Sequence, residues 1–324
     1  MSANFHEPVL LNQAMEMLAL SSGATVVDGT LGDAGHAQEI LKLTAPGGTL
    51  VALDWDKSAI LVGQERLDPF KHRVIIANRS YSDLKTTLEE NRINHVDAIF
   101  LDLGVSSRQL DSSTRGFRFK DSRTSLANLD MRMDDAALYK ASDLLATSSE
   151  ETLASWFADY GELRGSFRLA KTIVSSREKE PIQTASDLIK VINKAGIGRG
   201  RRHNPATLVF QALRIAVNEE LTHLKKLLFD APKFLKPGGR LVIISYHSLE
   251  DRLVKHAFRD GERGCVCPPK IPLCICGKKP VWRRINKRPL VADERELSNN
   301  SRSRSAKLRG AVHIIEETRK QDVS

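Results

Sequence analysis

The chain has 324 residues, 41% of them hydrophobic and 27% charged, with a formal net charge of +9. That composition fits a globular protein with a sizeable buried core, and it excludes a disordered or collagen-like chain. No apolar run is long enough to span a bilayer and no signal peptide is evident, so a cytoplasmic location is expected.

The first third alternates strand and helix. Val9 to Leu20 reads as an amphipathic lead-in helix, Ala24–Gly29 as a buried strand and Gly35 to Leu43 as a helix. Pro46-Gly47-Gly48 turns the chain into a strand over Thr49–Asp54, and Ala59 to Leu67 is helical. Val74–Ala77 and Ala98–Leu103 are the third and fourth short apolar runs. Such runs separated by helices indicate a parallel sheet covered on both faces.

The alternation stops at Gly104. Ser148-Ser149-Glu150-Glu151 looks like a capping box before a helix carrying Leu153, Trp156, Phe157 and Tyr160. Phe167, Ala170, Ile173 and Val174 form a second helical stripe, and Thr184 to Asp187 caps a third helix with Leu188, Ile189 and Ile192. Core packing is the simplest reading of these stripes. Asn204-Pro205 starts a long helix running to about Phe229, with Asn as N-cap and Pro at the first helical position. Lys236-Pro237-Gly238-Gly239 leads into a fifth strand, Arg240–Tyr246, and Val281–Ile285 and Lys307–Ile314 are candidate further strands. The expected organisation is an α/β domain over 1–110 and 205–324, with a helical insertion over 111–204.

In such sheets ligands bind outside the carboxyl ends of the strands. Asp28, Asp54, Asp102 and Ser245 to Ser248 all arrive there. Glycines 29, 32 and 35 let backbone approach a ligand, and amides opening the next helix can meet an anion. Asp54 is placed to accept from ribose hydroxyls, and Asp102 from an amine. Two cofactors fit this pattern, a nicotinamide dinucleotide or S-adenosylmethionine. The first loop carries Asp28 and Asp33 around its glycines, which suits a cationic sulfonium and ammonium better than a pyrophosphate.

Five segments together carry a resemblance: His6 to Leu11, Leu101 to Leu110, Leu129 to Asp134, His203 to Thr207 leading to Phe210–Ile215, and Ile244 to Arg252. In collinear order over nearly the whole chain, they resemble the bacterial 16S ribosomal RNA small-subunit (cytosine-N4) methyltransferase family, the RsmH/MraW type. The resemblance implies a Rossmann-like S-adenosylmethionine-dependent methyltransferase sheet with an inserted, mostly helical substrate-recognition domain. It implies methyl transfer to the exocyclic N4 of a cytidine in the decoding region of 16S RNA. By the same resemblance Ala34, Gly35, His36, Asp54, Tyr81, Asp102 and Gln109 hold the donor. Tyr81 follows the third strand, where its ring can pack on adenine. The partner is 16S RNA, within the small ribosomal subunit or its precursor, and a homodimer is a further expectation.

Three departures from the family's pattern stand out. Ala34 replaces a Gly, which matters if position 34 needs a positive backbone angle. The segment Lys120 to Asn128 is longer, and Gly161–Phe167 differs. The chain also lacks the Asn/Asp-Pro-Pro-aromatic motif of amino-methylating DNA enzymes. Asp102, Ser245 and His247 are the candidate catalytic groups; for the last two the alternative is structural capping before the helix near Leu249.

Basic residues cluster at 199–202 and from Gly277 to Gly310, where eleven Lys or Arg face three acids. With Arg108, Arg115 and Arg132 they are candidates for holding an RNA backbone. The alternative is a solvated face. All four cysteines lie in two Cys-x-Cys pairs, Cys265/Cys267 and Cys274/Cys276. They form either a structural zinc site or a set of reduced thiols. Three other function classes remain: a nicotinamide-dependent oxidoreductase, a non-catalytic RNA-binding protein, and a methyltransferase of DNA or a small molecule.

Overall fold

The structure, a computed structural model, describes residues 8–112, 114–118, 127–197, 204–263, 265, 267–268, 272–273 and 275–314. Two compact units emerge, Met1–Gly104 with His223–Ser324, and Val105–Thr222.

The first unit is built on a seven-stranded sheet in the order β3-β2-β1-β4-β5-β7-β6. Its strands are β1 (Thr25–Asp28), β2 (Thr49–Asp54), β3 (Val74–Asn78), β4 (Val96–Asp102), β5 (Leu235–Ser245), β6 (Trp282–Arg284) and β7 (Lys307–His313). The first five are parallel; β7 runs antiparallel to β5, and β6 antiparallel to β7. β2 and β4 are apolar and almost wholly buried, as strands covered on both faces must be.

Helices α1 (Leu11–Leu18), α2 (Gly35–Leu43) and α3 (Lys57–Arg66) contribute to one apolar layer, with Val26, Phe100, Val242 and Ile244 from the strands. α4 (Leu84–Glu90) packs on the other face, with Val27, Leu101, Leu241 and Ile243. Alternation along each strand therefore sends successive side chains to opposite layers.

The second unit is helical: α5 (Ser107–Asp111), α6 (Ala141–Thr147), α7 (Glu150–Asp159), α8 (Ser166–Arg177), α9 (Ala185–Ala195) and α10 (Pro205–Asn218). Ser149 caps α7 by accepting from Thr152 N, while Thr184 and Asp187 form a reciprocal box on α9. The expected stripe on α8 is only partly core, because Leu169, Ala170 and Ile173 are buried but Phe167 is 60% exposed.

The long helix expected from Asn204 to about Phe229 is two helices. Asn204 caps α10 as anticipated, but Glu219 adopts a left-handed φ of 48° and breaks the run. α11 (Glu220–Phe234) then starts afresh, and its residues from Leu224 to Ala231 join the second apolar layer of the sheet. The return expected at 205 falls later, at His223. The reason is that α10 packs against α7 and α6, inside the helical unit. After β5, α12 (Ser248–Arg263) and α13 (Glu294–Asn299) complete the first unit.

Candidate active site

The sheet order brings β2, β1 and β4 side by side, so their terminal acids share one edge. Asp28 ends β1, Asp54 ends β2 and Asp102 ends β4. The loop after β1 is stitched to both neighbouring strands, β2 and β4. Gly29 N donates to Phe100 O at 3.0 Å, Leu31 N to Leu53 O at 3.0 Å, and Asp102 N to Thr30 Oγ1 at 2.6 Å. A Cβ on Gly29 would overlap the side chain of Leu101, and one on Gly35 would overlap the Pro8 ring. These two glycines are needed for close backbone approach.

Asp54 accepts from Gly32 N and Asp56 N, each at 2.9 Å, which locks its carboxylate against the loop. Asp28 is 1% exposed. Its Oδ1 accepts from Thr30 N at 3.1 Å, while Oδ2 is buried with no hydrogen-bond partner among the described residues. Burial pushes its pKa up to about 7, and the charges of Asp102 and Asp54 add to the push.

Asp102 is likewise raised to about 7, by burial first and by the charge of Glu250; a hydrogen bond from Tyr246 opposes the rise. Its side chain keeps 24% exposure, so water moderates the shift. The Tyr246 hydroxyl donates to Asp102 Oδ1 at 2.8 Å. His36 lies on the other side, its Nδ1 3.8 Å from Asp102 Oδ2. Its Nε2 contacts Val9 O at 3.0 Å, and its ring is tilted against Phe100 at 4.6 Å. Burial lowers the His36 pKa to about 4, so the imidazole is neutral at physiological pH.

Ala34 precedes α2 in the left-handed region, with φ 59° and ψ 24°, and is fully buried. The condition under which the missing glycine matters is therefore met. Ala34→Gly relieves about 1 kcal/mol of strain. It also loses a buried methyl worth about 0.8 kcal/mol and adds roughly 0.5–1 kcal/mol of unfolded-chain entropy. The expected result is a stability change below about 1 kcal/mol in denaturant unfolding. A loss above about 2 kcal/mol would show that the methyl is packed more tightly than this.

Tyr81 is buried beneath Gly29, whose Cβ position lies 2.9 Å from the Tyr81 Cβ. It belongs to the apolar layer opposite His36 and Phe100. Trp55, next to Asp54, lies 6.2 Å from the Tyr81 ring and 5.2 Å from that of His223. Neither Trp55 nor Tyr246 stands out from spacing alone. Their signal is the same, an aromatic residue beside a strand-end acid or hydroxyl.

The candidate catalytic trio separates. Ser245 is 2% exposed, with its hydroxyl 3.4 Å from Lys307 O on β7. His247 caps α12: Glu250 N donates to its Nδ1 at 3.4 Å, and the Glu250 carboxylate accepts from the backbone N–H groups of Tyr246 and His247. The His247 Nε2 lies 3.1 Å from Glu250 Oε1. His247 thus sits in the helix cap, Ser245 is turned to β7, and Tyr246 takes the position beside Asp102. Gln109 lies in the helical unit, buried, and its Oε1 accepts from Ser106 N to close the capping box of α5.

Other motif residues are engaged structurally. Arg132 pairs with Asp130 at 2.7 Å and donates to the carbonyls of Asp135 and Ala137. Arg115 donates to the carbonyls of Arg132 and Met133. Met131 and Met133 are buried, pinned by the Asn218 amide through Met131 O and Met133 N. In the tail Arg284 pairs with Glu262 and Arg309 with Asp251. Residues 199–203, His6, Glu7, most of 120–128 and Cys274 lie outside the described residues.

A parallel sheet of this order, extended by an antiparallel β7 and lined with acids at the ends of β1, β2 and β4, is a Rossmann-like methyltransferase domain. The chain belongs to the MraW methylase family, whose description matches residues 3–314. It is 48% identical over 317 residues to the Ribosomal RNA small subunit methyltransferase H of Geotalea uraniireducens (strain Rf4), covering 97% of this chain and 100% of that protein. The protein of the same name from Geotalea daltonii is 46% identical over 312 residues, 95% of this chain and 98% of its own. That from Syntrophus aciditrophicus is 44% identical over 314 residues, 96% and 98% respectively.

Proposed function

We propose that this protein transfers a methyl group from S-adenosylmethionine to the exocyclic N4 of a cytidine in the decoding region of 16S ribosomal RNA. The observation that carries the reading is the meeting of Asp28, Asp54 and Asp102 at one sheet edge. Two of these carboxyls resist ionisation in the folded protein, and a cationic ligand would relieve that cost. The RNA acceptor rests on the full-length likeness to proteins named ribosomal RNA small subunit methyltransferase H.

S-adenosylmethionine supplies an electrophilic methyl on a sulfonium. The chain's own residues bind and orient. Asp54 accepts from ribose hydroxyls, and the loop Ala34, Gly35, His36 presents backbone to the donor. Tyr81 provides apolar surface. Asp102, held through Oδ1 by Tyr246, keeps Oδ2 to accept from the N4 amine and take its proton. The helical unit recognises the RNA, presented by the small subunit or its precursor. A cytoplasmic location goes with that substrate, and no helix among the described residues is long and apolar enough to cross a membrane.

Nucleoside mass spectrometry of small-subunit RNA from cells lacking this protein is expected to show loss of N4-methylcytidine. The wild-type gene restores it and an Asp102→Ala gene does not. Unchanged N4-methylcytidine would end the substrate assignment. In calorimetry the protein is expected to bind S-adenosylhomocysteine and not NAD; the reverse would favour an oxidoreductase.

A further inference from the structure

We propose that Cys265, Cys267 and Cys276 bind a structural zinc ion that orders the loop between α12 and β6. The three Sγ atoms all lie within 4.8 Å of one another. Cys265 and Cys276 have their sulfurs 3.8 Å apart. A tetrahedral site with zinc–sulfur bonds of about 2.3 Å places its sulfurs about 3.8 Å apart. A disulfide needs about 2.05 Å, and it would join two of the three sulfurs and leave the third unused. A [4Fe–4S] cluster holds each cysteine sulfur on a different iron and spreads them more widely than this. The Ile275 N–H donates to Cys267 Sγ at 3.4 Å, the kind of contact that holds a metal-bound thiolate in place.

The loop's ends are already fixed. Val281 N donates to Gly261 O at 2.9 Å, and Arg284 pairs with Glu262. Trp282 packs on Phe258 with centroids 5.7 Å apart. Between these clamps the described apolar side chains find no cover: Leu273 is 79% and Ile275 78% exposed. Bringing three thiols together beside exposed apolar side chains needs a compensating gain, and thiolate–zinc bonds provide one. Thiolate ligands in tetrahedral spacing select zinc among the common divalent cations. The chain's remaining thiol, Cys274, lies outside the described residues. The site does not depend on the methyltransferase reading.

The test uses the full-length untagged protein. Inductively coupled plasma mass spectrometry is expected to find one zinc per chain. A Cys265→Ser/Cys276→Ser double variant is expected to lower zinc content at least about tenfold and to speed proteolysis between Arg263 and Val281. Should that variant fail to fold, cobalt exchange into the wild type gives a second readout, the intense visible bands of tetrahedral thiolate coordination. Wild-type protein without stoichiometric zinc, stoichiometric iron in its place, a disulfide among these cysteines, or zinc retained in the double variant would each overturn the proposal.

Discussion

Asp102→Ala is expected to lower kcat/KM for methyl transfer by about 10²–10⁴, the range typical of losing a positioned proton acceptor. The cytosine amine is a weak nucleophile because its lone pair is delocalised into the ring. A carboxylate accepting from N4–H localises that pair and receives the proton as the methyl arrives. Only the ionised form can do this. Because the folded protein raises the Asp102 pKa to about 7, the rate should climb with pH through neutrality. Tyr246 lends a hydrogen bond to the charged form and so opposes that rise. Tyr246→Phe removes the bond, raises the Asp102 pKa further and moves the acid limb of the kcat/KM profile to higher pH. An acid limb that stays in place in Tyr246→Phe would detach Asp102 from the proton. A purely structural Tyr246 would lower activity without moving the limb.

Asp28→Asn is expected to stabilise the ligand-free protein by about 2–4 kcal/mol at pH 8 while weakening donor binding. The Asp28 carboxyl moves from an ordinary value of 3.8 to about 7 on folding. A folded-state pKa above the unfolded one means the contribution is fully present below about pH 4 and is lost as pH rises through about 7. Above that, folding carries the cost of a buried charge whose Oδ2 has no partner among the described residues. Asparagine keeps an oxygen for Thr30 N and removes the charge. Denaturant unfolding at pH 4 and pH 8 should therefore show the variant's advantage shrinking toward acid. Equal stability of the two proteins at pH 8, or an advantage unchanged at pH 4, would show that Asp28 is not held against ionisation. S-adenosylmethionine should narrow the gap at pH 8, because its sulfonium and ammonium favour the carboxylate.

Local features of the chain were legible where local chemistry decides them. The four apolar runs ending in or near Asp28, Asp54, Asn78 and Asp102 are strands because continuous β-branched and apolar residues suit a sheet buried on both faces. Asn204-Pro205 and the Thr184–Asp187 box open helices through side-chain caps only a few residues long. Errors appear where a partner distant in sequence decides. The break at Glu219 leaves no local trace beyond two adjacent glutamates; its neighbour Asn218 is turned to Met131 and Met133. Phe167 sits on a helical stripe but faces solvent, because hydrophobic period does not reveal which side of α8 is covered.

The same division runs through the active site. Sequence alone determined that acids end three strands, that a glycine-spaced loop follows the first, and that position 34 departs from the family's glycine. Those are properties of neighbouring residues, governed by backbone propensity and strand period. Only the tertiary structure decided that β2, β1 and β4 lie side by side, which turns separate acids into one site where the charges of Asp102 and Asp54 add to the rise of the Asp28 pKa. It also sent Ser245, Tyr246 and His247 to different partners. β7 beside β5 takes the Ser245 hydroxyl, the start of α12 takes His247, and strand alternation puts Tyr246 on the face of Ile244, beside Asp102. Strand order and antiparallel addition depend on packing between segments up to hundreds of residues apart, and no short motif records that packing.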